Sequence, residues 1–259
     1  MQVGVVQFAS GGDKSANATR LSDLVGQAAD LGAQLVVTPE ASMHGFGQPE
    51  EALAPIAEAL DGAFVTGLSE TARKHGVTVV AGMFESIEDD TTRAYNTVVA
   101  VGPGGDLLGR YRKVHLFDAL GHMESRQLAQ APVELLTFPC GDFTVGVMTC
   151  YDLRFPELAR ALVEHGVTCL AVPSAWVAGP LKEEQWSVLV RARAVENTAY
   201  VVAADQAAPE YAGRSMVVDP YGATLAQLAE GDGVAVAHVS AERLSDVRRR
   251  MPSLEHRRL

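Results

Sequence analysis

Short apolar runs recur along the chain at intervals that suit the strands of a buried sheet. They are QVGVVQFA, AQLVVTPE, VTVVAGMFE, AYNTVVAVG, FTVGVMTC, TCLAVPSAW, AYVVAADQA, GRSMVVDP and GVAVAHV. Between them, Asn17 to Leu31, Thr66 to His75 and Pro156 to His165 carry apolar residues at helical spacing. Strands apolar on both faces, alternating with amphipathic helices, predict an α/β domain with the sheet inside and helices outside. The segment GPGGDLLG, between NTVVAV and RYRKVHLF, breaks this rhythm. Its glycines suit a hairpin turn, so the sheet is expected to be mixed. It matches neither the dinucleotide fingerprint nor a phosphate loop.

In open α/β sheets, functional groups collect at the carboxyl ends of strands. Three polar residues sit in that way. Glu40 closes LVVTPE, Lys113 follows the hairpin, and Cys150 closes VGVMTC. Cys150 also marks a strand-to-helix turn, because Phe143 to Met148 reads as a strand and Pro156 to His165 as a helix stopped by Gly166. A thiol with an ordinary pKa near 8.5 is only a few per cent ionised at neutral pH, so it needs a base, a cation or a helix N-terminus beside it. A carboxylate and an ammonium supply the base and the oxyanion partner for acyl transfer. Each residue also has a plainer role open to it: Cys150 as core packing, Glu40 as a cap, Lys113 as a solvated charge. A Cys-His dyad using His115 or His122 is the other way to activate Cys150.

Composition narrows the partners. A formal net charge of -11 over 259 residues argues against nucleic acid and anionic membrane as main partners, because both would be repelled. No apolar stretch is long enough to cross a bilayer, and Met1 leads directly into VGVVQF with no basic region before it. A cytoplasmic protein is expected. Three cysteines, Cys140, Cys150 and Cys169, with no C-x-x-C spacing, argue against a disulfide framework and a structural zinc site. No linker or low-complexity segment divides residues 1–259, which read as a single domain whose 47% hydrophobic content suffices for a large core.

The segments VVTPEASMHGF, GRYRKVHLFDA and GVMTCYDLRFPELAR, in that order, resemble the three signature blocks of the nitrilase-like carbon-nitrogen hydrolases. AVPSAW, RARAVENTAYVVAADQ and GRSMVVDPYGA extend the resemblance over nearly the whole chain. It implies a four-layer α-β-β-α sandwich with two mixed β-sheets, a Glu40, Lys113, Cys150 triad, and hydrolysis of a non-peptide carbon-nitrogen bond through a thioester with no metal or organic cofactor. The oxyanion would be held by Lys113 and the Tyr151 backbone N–H. The CYDLRFPE block resembles the branch holding omega-amidases and deaminated glutathione amidases. A small linear amide is therefore the expected substrate, first among them an omega-amide of a carboxylic acid. Nitriles and N-carbamoyl compounds are the alternatives within the family; a non-catalytic scaffold, or an ammonia-supplying glutaminase domain, lies outside that reading.

Supporting residues follow from the same blocks. Glu124 in GHMESRQL resembles a second glutamate that positions the lysine, although the Pro-Gly usual a few residues later is missing here. Trp176, at a strand end, offers either a pocket wall or core packing. Arg154 is the cation nearest the nucleophile in sequence: either it grips a substrate carboxylate, or it pairs with Asp152 or Glu157. Arg191, Arg193 and Glu196 are spaced for structural pairing along a helix. The resemblance also implies a homodimer or higher homo-oligomer, with the basic tail from about residue 246 crossing the interface.

Overall fold

The computed structural model describes residues 1–47 and 51–258. Its strands are β1 Gln2–Gln7, β2 Leu35–Val37, β3 Thr78–Ile87, β4 Asp90–Val101, β5 Leu107–Arg112, β6 Thr137–Cys140, β7 Phe143–Val147, β8 Cys169–Ser174, β9 Tyr200–Asp205, β10 Met216–Val218, β11 Thr224–Gln227 and β12 Gly233–His238. They form two six-stranded sheets, ordered β12-β1-β2-β3-β4-β5 and β11-β10-β9-β8-β7-β6. In each, three central strands run parallel (β1, β2, β3 and β7, β8, β9) and the flanking strands are antiparallel. Both sheets are therefore mixed, as the glycine hairpin implied: β4 turns through Gly102 and Gly105 into antiparallel β5.

Alternation along the strands explains the layering. Leu35 and Val37 of β2 join one core cluster with Val145, Val147 and Val172 of the facing sheet, while Val36 between them joins Leu21, Leu24 and Val25 of helix α1 (Lys14–Asp30). Side chains at successive strand positions point to opposite faces, so one run fills both the space between the sheets and the space under the helices. Helix α1 and helix α2 (Ala63–His75) cover the first sheet; α3 (Pro156–Glu164) and α4 (Lys182–Asn197) cover the second. The result is a four-layer α-β-β-α sandwich. Helix α1 begins at Lys14, three residues before the expected start, because Asp13 caps the free N–H groups of Ser15 and Ala16. Strands β6 and β11 had no apolar run to mark them: both are edge strands, half or mostly exposed.

Each fully buried aliphatic side chain contributes about 1.5–3 kcal/mol. Three-residue β2, with Leu35, Val36 and Val37 all at 0% exposure, is thereby fixed firmly enough to aim the residues that follow it. Those residues lie at the carboxyl end of the parallel strands, where β2, β7 and β8 meet. The Glu40 N–H donates to the Ser174 carbonyl of the opposite sheet at 3.3 Å, which joins the two sheets at this end.

Candidate active site

Beyond Val37 the chain hugs β3. Thr38 N–H donates to Val80 O at 2.9 Å and Gly82 N–H donates to Pro39 O at 3.3 Å. A Cβ on Gly82 would stand 2.5 Å from Ala41 N and 2.7 Å from Glu40 Cα, so only glycine lets the two backbones approach this closely. Glu40 is thereby pressed into the interior at 0% exposure, where a carboxylate needs full compensation. It has that: Oε1 accepts from Lys113 Nζ at 3.0 Å and Asn96 Nδ2 at 2.7 Å, and Oε2 accepts from Ala175 N–H at 2.8 Å.

Lys113 follows β5 directly and is held by its own N–H on Asn96 O at 2.8 Å. Its ammonium is shared between Glu40 and Glu124, each at 3.0 Å. Burial disfavours that charge, but the two carboxylates outweigh it and hold the lysine well above its ordinary pKa. Glu124 is in place despite the missing Pro-Gly: its Oε2 accepts Phe117 N–H at 2.7 Å. Burial raises its pKa, opposed by Lys113.

Cys150 adopts φ of 46°, a left-handed conformation rare outside glycine, at the turn between β7 and α3. Asp152 makes that turn rigid. Its fully buried carboxylate accepts from Thr149 N–H at 2.9 Å, Tyr111 Oη at 2.6 Å and His115 Nδ1 at 2.7 Å. Strain at a residue so constrained is typical of reactive positions. Burial and the charge of Glu40 push the Cys150 thiol well above its ordinary range, while Lys113 and the Ala175 N–H oppose them. The same N–H thus faces both Glu40 and the thiol. Cys140 and Cys169, also buried and free, have no such company.

These shifts give one expected result. Because burial holds Cys150 protonated, ultraviolet difference spectra of wild type against Cys150→Ala should show no thiolate signal up to about pH 8. A thiolate signal at neutral pH would instead indicate a Cys-His ion pair. His115 does not supply such a pair here, being bound to Asp152 and stacked on Phe155 at 3.7 Å. His122 lies beside the Phe117 ring.

The Tyr151 ring packs edge-on against Phe117 at 5.0 Å and Phe155 at 5.3 Å, forming an aromatic wall next to Cys150. Trp176 is 2% exposed, with its Nε1–H on the carbonyl of Lys182 at 2.9 Å and its backbone N–H on Asp205 at 2.7 Å. Arg154 lies over its ring at 5.0 Å. Neither carboxylate expected of Arg154 pairs with it: Asp152 is taken, and the guanidinium instead donates to neutral Gln185 at 2.6 Å. Arg193 pairs with Glu196 along α4 as its spacing predicts, whereas Arg191 donates to Gly222 O. Sequence reading missed Asn96, which holds Glu40 and the Lys113 backbone, and the bond of Tyr111 to Asp152 that fixes the Cys150 turn, because nothing local signals a partner dozens of residues away.

Twin mixed sheets, with Glu40, Lys113 and Cys150 gathered where their strands end, define a nitrilase-type sandwich. The chain belongs to the carbon-nitrogen hydrolase family, whose pattern matches residues 2–249, and is an amidase-type enzyme. It is 36% identical over 258 residues to deaminated glutathione amidase of Escherichia coli O157:H7, covering 100% of this chain and 97% of that one. To the human protein of the same name it is 37% identical over 273 residues, covering 99% and 82%. Among solved structures it resembles the C. elegans NitFhit protein with a TM-score of 0.90 and 30% identity, over 99% of this chain and 65% of that one. It also resembles a variant of the amidase from Nesterenkonia sp. AN1, seen with acrylamide added to its active-site cysteine, with a TM-score of 0.84 and 26% identity over 99% and 98%.

Proposed function

We propose that Cys150, Glu40 and Lys113 hydrolyse a small carboxylate-bearing amide to the acid and ammonia. The observation that carries this is a fully buried Glu40–Lys113 pair whose charges act directly on a strained, buried thiol. Cys150 Sγ attacks the amide carbon as Glu40 takes the thiol proton. The oxyanion is held by Lys113 and the Tyr151 N–H. The proton on Glu40 passes to the leaving nitrogen, the C–N bond breaks, and ammonia departs from a thioester on Cys150. Water, losing its proton to Glu40, then cleaves the thioester and restores the thiol. Glu124 keeps Lys113 in place. Arg154, which pairs with no carboxylate among the described residues and lies over Trp176, grips the carboxylate of the substrate.

The names of the relatives point the same way, toward an omega-amide of a carboxylic acid over a nitrile or N-carbamoyl compound. Ammonia release measured across the three classes tests this: amides should be turned over, and a preference for nitriles or release of carbon dioxide from carbamoyl compounds would overturn it. Three buried, unpaired cysteines suit a reducing cytoplasmic setting.

We also propose a homodimer. On α4, Val188 and Val195 are 57% and 49% exposed and seven residues apart, so they share one apolar face beside the tail. The tail's arginines contribute less than their number suggests, since Arg249 and Arg250 pair with Asp246 and Arg257 with Glu164. Light scattering should give twice the chain mass for wild type and the monomer mass for Val188→Glu/Val195→Glu.

A further inference from the structure

Lys182 is placed against two preferences of an ammonium, for solvent and for the negative end of a helix. It is the first residue of α4, where the helix dipole is positive, and only 5% of it reaches solvent. Buried lysines are ordinarily paired. Among the described residues, however, no carboxylate forms an ion pair with its Nζ, and Glu183, next in the helix, pairs with Arg214 instead. What the ammonium meets is aromatic: the Trp176 ring at 4.4 Å and the Phe117 ring at 5.2 Å. Desolvation lowers its pKa, and the positive charge of Arg154 adds to that effect. Asp205, the carboxyl closest in influence, has its pKa pushed well up by burial and is already engaged by the Trp176 N–H.

The surroundings locate this charge. Phe117 touches both the Lys182 ammonium and the Tyr151 ring beside Cys150, and Trp176 carries both Lys182 and Arg154. Two cations that pair with no carboxylate among the described residues thus share one indole, in a chain of net charge -11. A position that costs stability without a partner in the folded chain is one that a ligand completes.

We propose that Lys182 is a substrate-binding residue that, together with Arg154, forms a two-cation subsite for the carboxylate of the amide substrate. The inference rests on the amidase reading above and adds to it a second cation. Cation and ring also suit each other: the Trp176 and Phe117 faces hold the ammonium loosely, by cation–π attraction, until a carboxylate bridges it to the guanidinium. Neutral amides of the same length lack the bridging group and gain nothing from either cation.

The test compares wild type with Lys182→Met, which keeps the aliphatic stem and the backbone carbonyl that anchors Trp176. For succinamate the Michaelis constant should rise roughly 10- to 100-fold with little change in kcat, while turnover of butyramide stays within about threefold. The melting temperature should rise, because an unpaired cation has been removed. Equal losses on both amides, an unchanged constant for succinamate, or a lower melting temperature would each make Lys182 structural and overturn the proposal. Calorimetry separates this from the chemistry: succinate should bind Cys150→Ala protein, and about 10-fold more weakly once Lys182→Met is added. If wild type releases no ammonia from either amide, the amidase reading fails, and the succinate measurement still decides the subsite. Succinate bound equally by both proteins, or by neither, sinks it.

Discussion

Cys150→Ala is expected to lose at least about 10⁴-fold in amide turnover while melting within a few degrees of wild type. The loss is large because no other group can form the thioester: Cys140 and Cys169 are buried away from the Glu40–Lys113 pair. The fold survives because a small side chain replaces a small one and the turn is held by Asp152 through Thr149, Tyr111 and His115, none of which uses the sulfur. Circular dichroism and ammonia release measured on the same preparation check both halves. A stable variant with substantial turnover would remove Cys150 from the chemistry.

Glu40→Gln and Lys113→Met are expected to lose about 10²- to 10⁴-fold in turnover, and each also to lose stability. Both side chains are at or below 1% exposure, so deleting one leaves the other charge buried with less compensation, at a cost of about 3–5 kcal/mol. Lys113→Met should be the more damaging, since it strands two carboxylates, Glu40 and Glu124. Because the pair is coupled, the double variant should be less destabilised than the sum of the two single ones. Urea denaturation of the four proteins measures this, and simple additivity would mean the ion pair is energetically idle. Near-normal turnover in Glu40→Gln, combined with loss in His115→Ala, would replace this set with a Cys-His pair.

Glu40 and Cys150 were legible in the sequence because each terminates an apolar segment, and Lys113 because it follows the glycine hairpin. The mixed sheets followed from one glycine-rich hairpin in the same way. Strands β6 and β11 were not legible, since an edge strand with exposed positions has no continuous apolar signal. Partners were the least legible of all. Asp152 stood two residues from Arg154 and was its natural candidate, yet tertiary structure gives Asp152 to Tyr111 and His115 and leaves Arg154 with Gln185. Lys182, in an unremarkable polar stretch, gave no sign in one dimension that it would lie against Trp176 and within electrostatic reach of the thiol. Local pattern reports which positions are buried, but not what a buried charge will face.

The most direct test of the whole account is to trap the acyl enzyme. Wild type quenched in acid during turnover of a slow amide, digested and read by mass spectrometry, should carry the acyl group, the amide less ammonia, on the peptide holding Cys150 and nowhere else. An acyl group on the peptide of Cys140 or Cys169, or steady ammonia release with none on any cysteine, would contradict it.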